Sequence, residues 1–257
     1  MDMHIQRRKT LLYQPSRVLI RIFASLMLRF QVHHTHPLPP GPKLFVANHP
    51  SATDPFLIHL AARDEMNVMI TEKAFQVPWF GWFLRKVQEI PVPLSLEGGV
   101  AAVEQARQHL ESGCSVAIFI EGLISPEDGS FHRPRAGAAH LVLGSDIPII
   151  PVGIYLRRNW RLQIRAGITG EQTEAFWYLH GPYVVTVGQP MYFRDMPREP
   201  RAVRLASNQV MDAIIQLATE SEQRGSGIMK SSLLVQFYRF LAPLWRRWPA
   251  RRRCPIP

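Results

Sequence analysis

The sequence predicts an α/β fold built in layers, a mostly parallel or mixed sheet flanked by helices, with an amphipathic helix ahead of it. Three observations carry that expectation. From Lys43 to Ile154, short Val- and Ile-rich runs alternate with segments of helical periodicity. Pro37, Pro39, Pro40 and Pro42 set that alternation apart from what precedes it. The chain of 257 residues, 46% of them hydrophobic, is long enough to bury a full core without a metal or disulfide staple.

The first element runs from about Leu11 to Val32, where Leu12, Leu19, Ile20, Ile22, Phe23, Leu26, Met27 and Phe30 accumulate. Arg17, Arg21 and Arg29 interrupt it, so no stretch reaches the ~18 charge-free residues that a bilayer crossing needs. On a helix these arginines and Ser25 form one stripe, and the rest of the circumference is apolar. Such a helix either lies among the headgroups of an anionic membrane or packs its apolar face on the domain. Next, Lys43–Ala47 reads as a strand, Pro55–Ala62 as a helix, and Asn67–Thr71 as a strand. Gly98–Glu111 reads as a helix with Val100, Val103, Ala106 and Leu110 on one face. Ser115–Ile120 and Ile147–Ile154 read as buried strands on either side of a short helix, Gly137–Leu143. Leu162–Ile164 and Tyr183–Val187 are strands with no helix between them, Pro200–Glu220 is a closing helix, and Gly225–Gly227 reads as a hinge. Three units result: a basic, membrane-associated segment at 1–38, the α/β domain at 39–223, and a basic aromatic tail at 224–257.

Lys and Arg number 30 against 20 Asp and Glu, a net charge of +10. In the tail, Trp245 and Trp248 stand among Arg246, Arg247, Arg251, Arg252 and Arg253, a mixture suited to an anionic lipid surface or to nucleic acid. Recognised nucleic-acid motifs are absent, so the membrane surface is the expected partner. Cys114 and Cys254 make no CxxC pair, and His33, His34 and His36 have no local carboxylate or Cys beside them, so a metal site is not expected. The sequence also lacks a GxSxG elbow, a GxxxxGK[ST] loop and a GxGxxG loop, which argues against serine-hydrolase and nucleotide chemistry.

The chemically distinctive stretch is Val46-Ala47-Asn48-His49-Pro50-Ser51-Ala52-Thr53-Asp54-Pro55, directly after the first strand of the alternation. A His with a carboxylate five positions on, across a Pro-containing turn, can form an imidazole–carboxylate pair suited to general-base work. Read locally, Asn48 and Asp54 also serve as turn-forming and helix-capping residues, with His49 satisfied beside them.

Further blocks in order favour the chemical reading. The sequence resembles the glycerolipid acyltransferase family, the 1-acylglycerol-3-phosphate (lysophosphatidic acid) acyltransferases and their relatives, whose first block is His, four residues, Asp. His49 to Asp54 matches it within the flanking Asn-His-Pro. The third block, a strand followed by Pro-Glu-Gly-Thr-Arg-Ser, is present in part as Phe119-Ile120-Glu121-Gly122-Leu123-Ile124-Ser125, and Arg135-Ala136-Gly137 is similar to the basic-x-Gly downstream. The fourth is Ile147-Pro148-Ile149-Ile150-Pro151-Val152. Lys73 and Val77-Pro78-Trp79-Phe80-Gly81 resemble the approach to the second block, and Val187-Gly188-Gln189-Pro190 the strand ending before the last helix. Two departures stand out. Val87-Gln88-Glu89-Ile90-Pro91-Val92-Pro93 has no arginine where the second block carries one, and Leu123-Ile124 replaces Thr-Arg in the third. Both are arginines that the family associates with the acceptor phosphate. Either Lys73, Arg85, Arg133 or Arg135 substitutes for them, or the acceptor is not a simple phosphate monoester.

The resemblance implies a fold like that of the glycerol-3-phosphate acyltransferases and transfer of an acyl group from acyl-CoA or acyl carrier protein, a co-substrate, to a lipid hydroxyl. No further cofactor is implied, and the work would be done at the cytoplasmic face of a membrane. His49 would be the base and Asp54 its orienting partner. Asn48, Lys73, Glu121, Gly122 and Arg135 would bind substrate, with backbone N–H groups at the Glu121-Gly122 turn receiving the oxyanion and Glu121 either placing the acceptor or pairing with Arg135 or Lys73. Phe75, Trp79, Phe80, Trp82 and Phe83 would line the acyl path or the membrane contact, or serve as core aromatics. A catalytically silent lipid-binding relative is the competing reading.

Overall fold

The computed structural model describes residues 11–62, 65–168 and 171–226. Its centre is a seven-stranded mixed sheet. Five strands run parallel: β2 (Leu44–Ala47), β3 (Met66–Thr71), β4 (Ile90–Val92), β5 (Ser115–Phe119) and β6 (Ile149–Leu156). β9 (Gly181–Val187) pairs antiparallel to β6, and β1 (Leu28–His34) pairs parallel to β9, giving the order β1-β9-β6-β2-β5-β3-β4. Between β6 and β9 the chain makes a separate hairpin, β7 (Leu162–Ile168) with β8 (Glu171–Trp177).

β2 is central and wholly buried, and its alternation divides the core. Phe45 and Ala47 join the layer formed with Ala24, Leu57, Ile58, Leu84 and Tyr183. Leu44 and Val46 join the opposite layer, formed with Ala106, Leu110, Val142, Val210 and Ile214. The first layer is covered by α1 (Tyr13–Met27), α2 (Asp54–Leu57), α3 (Glu72–Phe75) and α4 (Phe80–Lys86). The second is covered by α5 (Leu96–Glu111), α6 (Gly137–Val142) and α7 (Pro200–Ser226).

Several expectations are corrected. The first helix ends at Met27, not Val32, because Leu28, Phe30 and Val32 alternate with Arg29, Gln31 and His33 and the segment completes the sheet beside β9. The arginine stripe therefore does not exist. Arg29 stands on β1, and Arg17 faces the domain, donating to the Ala62 carbonyl. Because α1 and β1 pack on and pair with the rest, residues 11–34 are integral to the α/β unit, and the boundary at residue 38 falls inside it. The helix after Asp54 breaks into one α turn and a 3₁₀ turn, Ile58–Leu60. On α5 the buried row is Ala102, Ala106, His109 and Leu110, with Val100 exposed. Gly225 is no hinge; α7 continues through it, and its Cα faces Tyr155, where a Cβ would come within 2.5 Å of the ring. Of the tail, residues 227–257 lie outside the described residues.

A polar knot docks α1. The Tyr13 hydroxyl lies 3.1 Å from His59 Nδ1 and accepts the Met66 N–H, while His59 Nε2 meets Glu89 Oε1 at 3.0 Å and the other Glu89 oxygen accepts the Val68 N–H. Ile20, Phe23 and Ala24 pack on the core behind it. The outer face of α1 leaves Val18, Leu19, Ile22 and Leu26 exposed.

Candidate active site

The parallel direction of β6, β2, β5 and β3 brings their C-terminal ends to one side of the sheet, where α/β folds place their ligands. From these ends come the residues picked out by sequence: His49 after β2, Glu121 after β5 and Lys73 after β3.

His49 and Asp54 do pair. Nδ1 of His49 lies 2.9 Å from Oδ2 of Asp54, which is fully buried. The same oxygen accepts the Ser51 N–H at 2.7 Å, and Oδ1 accepts the Tyr183 hydroxyl at 2.7 Å. The carboxylate is thus saturated by three donors. It holds the proton on Nδ1 and leaves Nε2 as the basic nitrogen, with no hydrogen-bond partner among the described residues. The imidazole stacks on Phe119, centroids 4.2 Å apart, which fixes its plane. The loop is sutured from β8 as well: the Phe176 carbonyl accepts from Ser51 Oγ and the Ala52 N–H, and Thr53 Oγ1 bonds both the N–H and the carbonyl of Tyr178.

The remaining sequence-predicted residues have other duties. Asn48 is engaged inside the protein: its amide accepts the Ile154 N–H at 2.7 Å and donates to the Ile154 carbonyl at 2.9 Å, a buried brace from β2 to β6. Glu121 is buried too. It accepts the His49 N–H (3.1 Å), the Ser125 hydroxyl (2.5 Å) and the His132 N–H (2.8 Å), so it positions the His49 loop through the backbone rather than pairing with Arg135. The Gly122 N–H closes a turn on the Phe119 carbonyl. With φ at +65°, Gly122 lets the exposed Arg135 lie across it; a Cβ there would meet Arg135 Nε at 2.4 Å. The next N–H groups, those of Leu123 and Ile124, have no acceptor among the described residues. Lys73 sits on α3 at the same end of the sheet, while Arg85 is turned to the Phe75 carbonyl and ring. Of the five aromatics, Phe75 is buried, Phe80 and Phe83 pack against the core, and Trp79 and Trp82 are exposed.

Sequence reasoning missed Tyr183, which lies 129 positions from its partner, and Arg158 and Arg161, which follow β6. Burial, then the charge of Asp54, pushes the Tyr183 phenol well above its ordinary value, so it stays a neutral donor. Tyr183→Phe leaves Oδ1 of a buried carboxylate unpaired. We expect a loss of about 1.5–3 kcal/mol of stability, read from thermal unfolding, together with slower turnover.

The chain is similar to known proteins in sequence and in fold. The acyltransferase family model matches residues 29–155, from β1 to near the end of β6. The 1-acyl-sn-glycerol-3-phosphate acyltransferase of Bacillus subtilis (strain 168) is 25% identical over 170 residues, 66% of this chain and 71% of that protein. In fold, the chain is similar to the crystal structure of the 1-acyl-sn-glycerophosphate (LPA) acyltransferase PlsC from Thermotoga maritima, with a TM-score of 0.58 at 18% identity, covering 85% of this chain and 81% of that one. The ordered blocks, the matched model and the Bacillus relative support the glycerolipid acyltransferase family for this chain, with O-acyl transfer as its class of reaction, and the mixed sheet with its flanking helices matches the PlsC fold.

Proposed function

We propose that the protein acylates the free hydroxyl of a lysophosphatidic-acid-type acceptor from acyl-CoA or acyl carrier protein, a step of phospholipid synthesis carried out at a membrane surface. The observation that carries the reading is the His49–Asp54 pair, 2.9 Å apart, with Asp54 saturated by donors. Nε2 takes the acceptor's proton as its oxygen attacks the thioester carbonyl carbon. The tetrahedral oxyanion is met by the N–H groups of Leu123 and Ile124, in place of the Gly122 N–H that the turn consumes. As the C–S bond breaks, the imidazolium returns the proton to the thiolate, so an ester and a free thiol leave and His49 is regenerated. Asp54 stabilises the imidazolium between these transfers.

Two exposed apolar surfaces support work at a membrane. One is the Val18, Leu19, Ile22 and Leu26 row of α1; the other is Trp79, 86% exposed and held at φ 61°, with Trp82 beside it. No described helix is long and apolar enough to cross a bilayer. The test is thiol release from palmitoyl-CoA in the presence of mixed micelles. Release that depends on added lysophosphatidic acid and yields phosphatidic acid is the expected result; no acceptor-dependent release from acyl-CoA or acyl carrier protein would overturn the reading in favour of a silent lipid binder.

A further inference from the structure

Two arginines that match no block of the family stand beside His49. The connection after β6 carries Arg158 and Arg161, and β6 is the immediate neighbour of β2, the strand that delivers His49. Arg161 Nη1 donates to the Pro50 carbonyl, next to His49, at 2.9 Å, and its Nε donates to the Arg158 carbonyl at 3.1 Å. Arg158 Nη1 donates to the Pro126 carbonyl, just past the Leu123-Ile124 turn. One guanidinium is therefore pinned to each of the two loops that frame the site. Those loops also touch each other, the Ser125 N–H donating to the His49 carbonyl at 2.7 Å.

What each guanidinium does not use matters more. Among the described residues neither has a carboxylate partner within ion-pair distance, and the Nη2 groups of both are neither buried nor hydrogen-bonded to protein. Arg161 also stands over Phe176, its guanidinium carbon 4.8 Å from the ring centroid, which together with its two carbonyl contacts fixes its open edge. Burial lowers the proton affinity of Arg158, against the opposing fields of Glu121, Asp128, Glu222 and Asp54. An anion at the open edges would supply the partner that this half-buried pair lacks. Meanwhile Leu123, half exposed, offers nothing to a phosphate where the resembling block has a polar residue followed by arginine.

We propose that Arg158 and Arg161 bind the phosphate of the acceptor, reaching the site from the connection after β6 rather than from the turn after β5 that carries the arginine in the resembling block. The assignment rests on the acyltransferase reading above. Arginine is suited to the role because its planar fork meets phosphate oxygens two at a time. The arrangement brings the phosphate to the β6 side of the imidazole, so the acceptor hydroxyl reaches Nε2 from that side, and the oxyanion is received on the β5 side.

The test has a binding arm and a turnover arm. In the first, glycerol 3-phosphate is titrated against the full chain, with glycerol as the uncharged control. The proteins compared are wild type, His49→Ala, Arg158→Gln, Arg161→Gln and the double variant. Phosphate-dependent binding by wild type and His49→Ala, weakened about ten- to a hundredfold by either arginine substitution, is the expected result. Arg158→Lys and Arg161→Lys, which keep charge but not the fork, should recover part of it, and unfolding of each unliganded variant checks the fold. In the second arm, the Michaelis constant for lysophosphatidic acid should rise by a similar factor while that for palmitoyl-CoA and kcat stay near wild type. A rise confined to palmitoyl-CoA would assign the pair to the donor's phosphates, and a fall in kcat with both constants unchanged would make it a loop brace; either overturns the proposal, as does equal binding of glycerol 3-phosphate by wild type and double variant. Absence of turnover in wild type counts against the acyltransferase reading alone, because the binding arm does not require turnover.

Discussion

His49→Ala is expected to lower acceptor-dependent thiol release by about 10²–10⁴-fold, the usual contribution of a positioned base, while the unfolding transition barely moves. The two halves of that expectation have separate causes. The catalytic loss follows because neither of the other described groups bonded to the Asp54 carboxylate can take the proton: Tyr183 is a neutral donor, and Ser51 offers a backbone N–H. Stability persists because Asp54 keeps those two donors after the imidazole is gone, and Asn48, Ser51 and Thr53 keep their bonds to β6 and to Phe176 and Tyr178. Retention of more than a tenth of wild-type turnover, with folding intact, would remove His49 from the mechanism. A collapse of the melting transition would recast it as a structural residue.

Gly153→Ala should produce a large loss of stability for a single added methyl. Gly153 lies in the middle of β6 where α7 crosses it, and a Cβ would stand 2.1 Å from the Ala218 nitrogen and 2.2 Å from the Leu217 carbonyl carbon. Those are backbone atoms in the interior of a 27-residue helix, so no rotamer change relieves the clash. The helix must lift. Overpacking costs about 1–3 kcal/mol where side chains can adjust, and here the cost should reach or pass the top of that range, a fall of roughly 6–12 °C in Tm. Gly99→Ala is the control: it lies in α5 with open space around it, so the same methyl should stabilise by about 0.5–1 kcal/mol. Equal melting of the Gly153 variant and wild type would mean that α7 does not sit against β6 as described.

The parts of the fold and site that were legible in the sequence are those held by neighbours in the chain. Five positions separate His49 from Asp54, a span that one turn and the first residue of a helix close by themselves, so their pairing could be read from spacing. The strands β2, β3, β5 and β6 announced themselves because burial on both faces demands continuous apolar runs. Tyr183, Arg158 and Arg161 could not be found in that way, because what brings them to the loop is strand order, and strand order is not written locally. Asn48 and Glu121 were expected to contact substrate; their polar atoms are bonded inside the protein, a distinction between holding and binding that only partners reveal. The reading of β1 as helix is different. Its two-residue alternation was available, but the apolar residues before it extended a helical pattern across the true boundary.

That strand also sets an order of events. β1 has one neighbour in the sheet, β9, which lies some 150 residues later in the chain, and β9 in turn leans on β6. During synthesis the first strand made is therefore the last to be given a place, long after the five parallel strands have emerged. Until then α1, attached directly ahead of it, keeps exposed the Ile20, Phe23 and Ala24 side that it packs on the core of the finished domain. The edge strand thus works as a delay, one that makes completion of the sheet wait for the chain beyond β8.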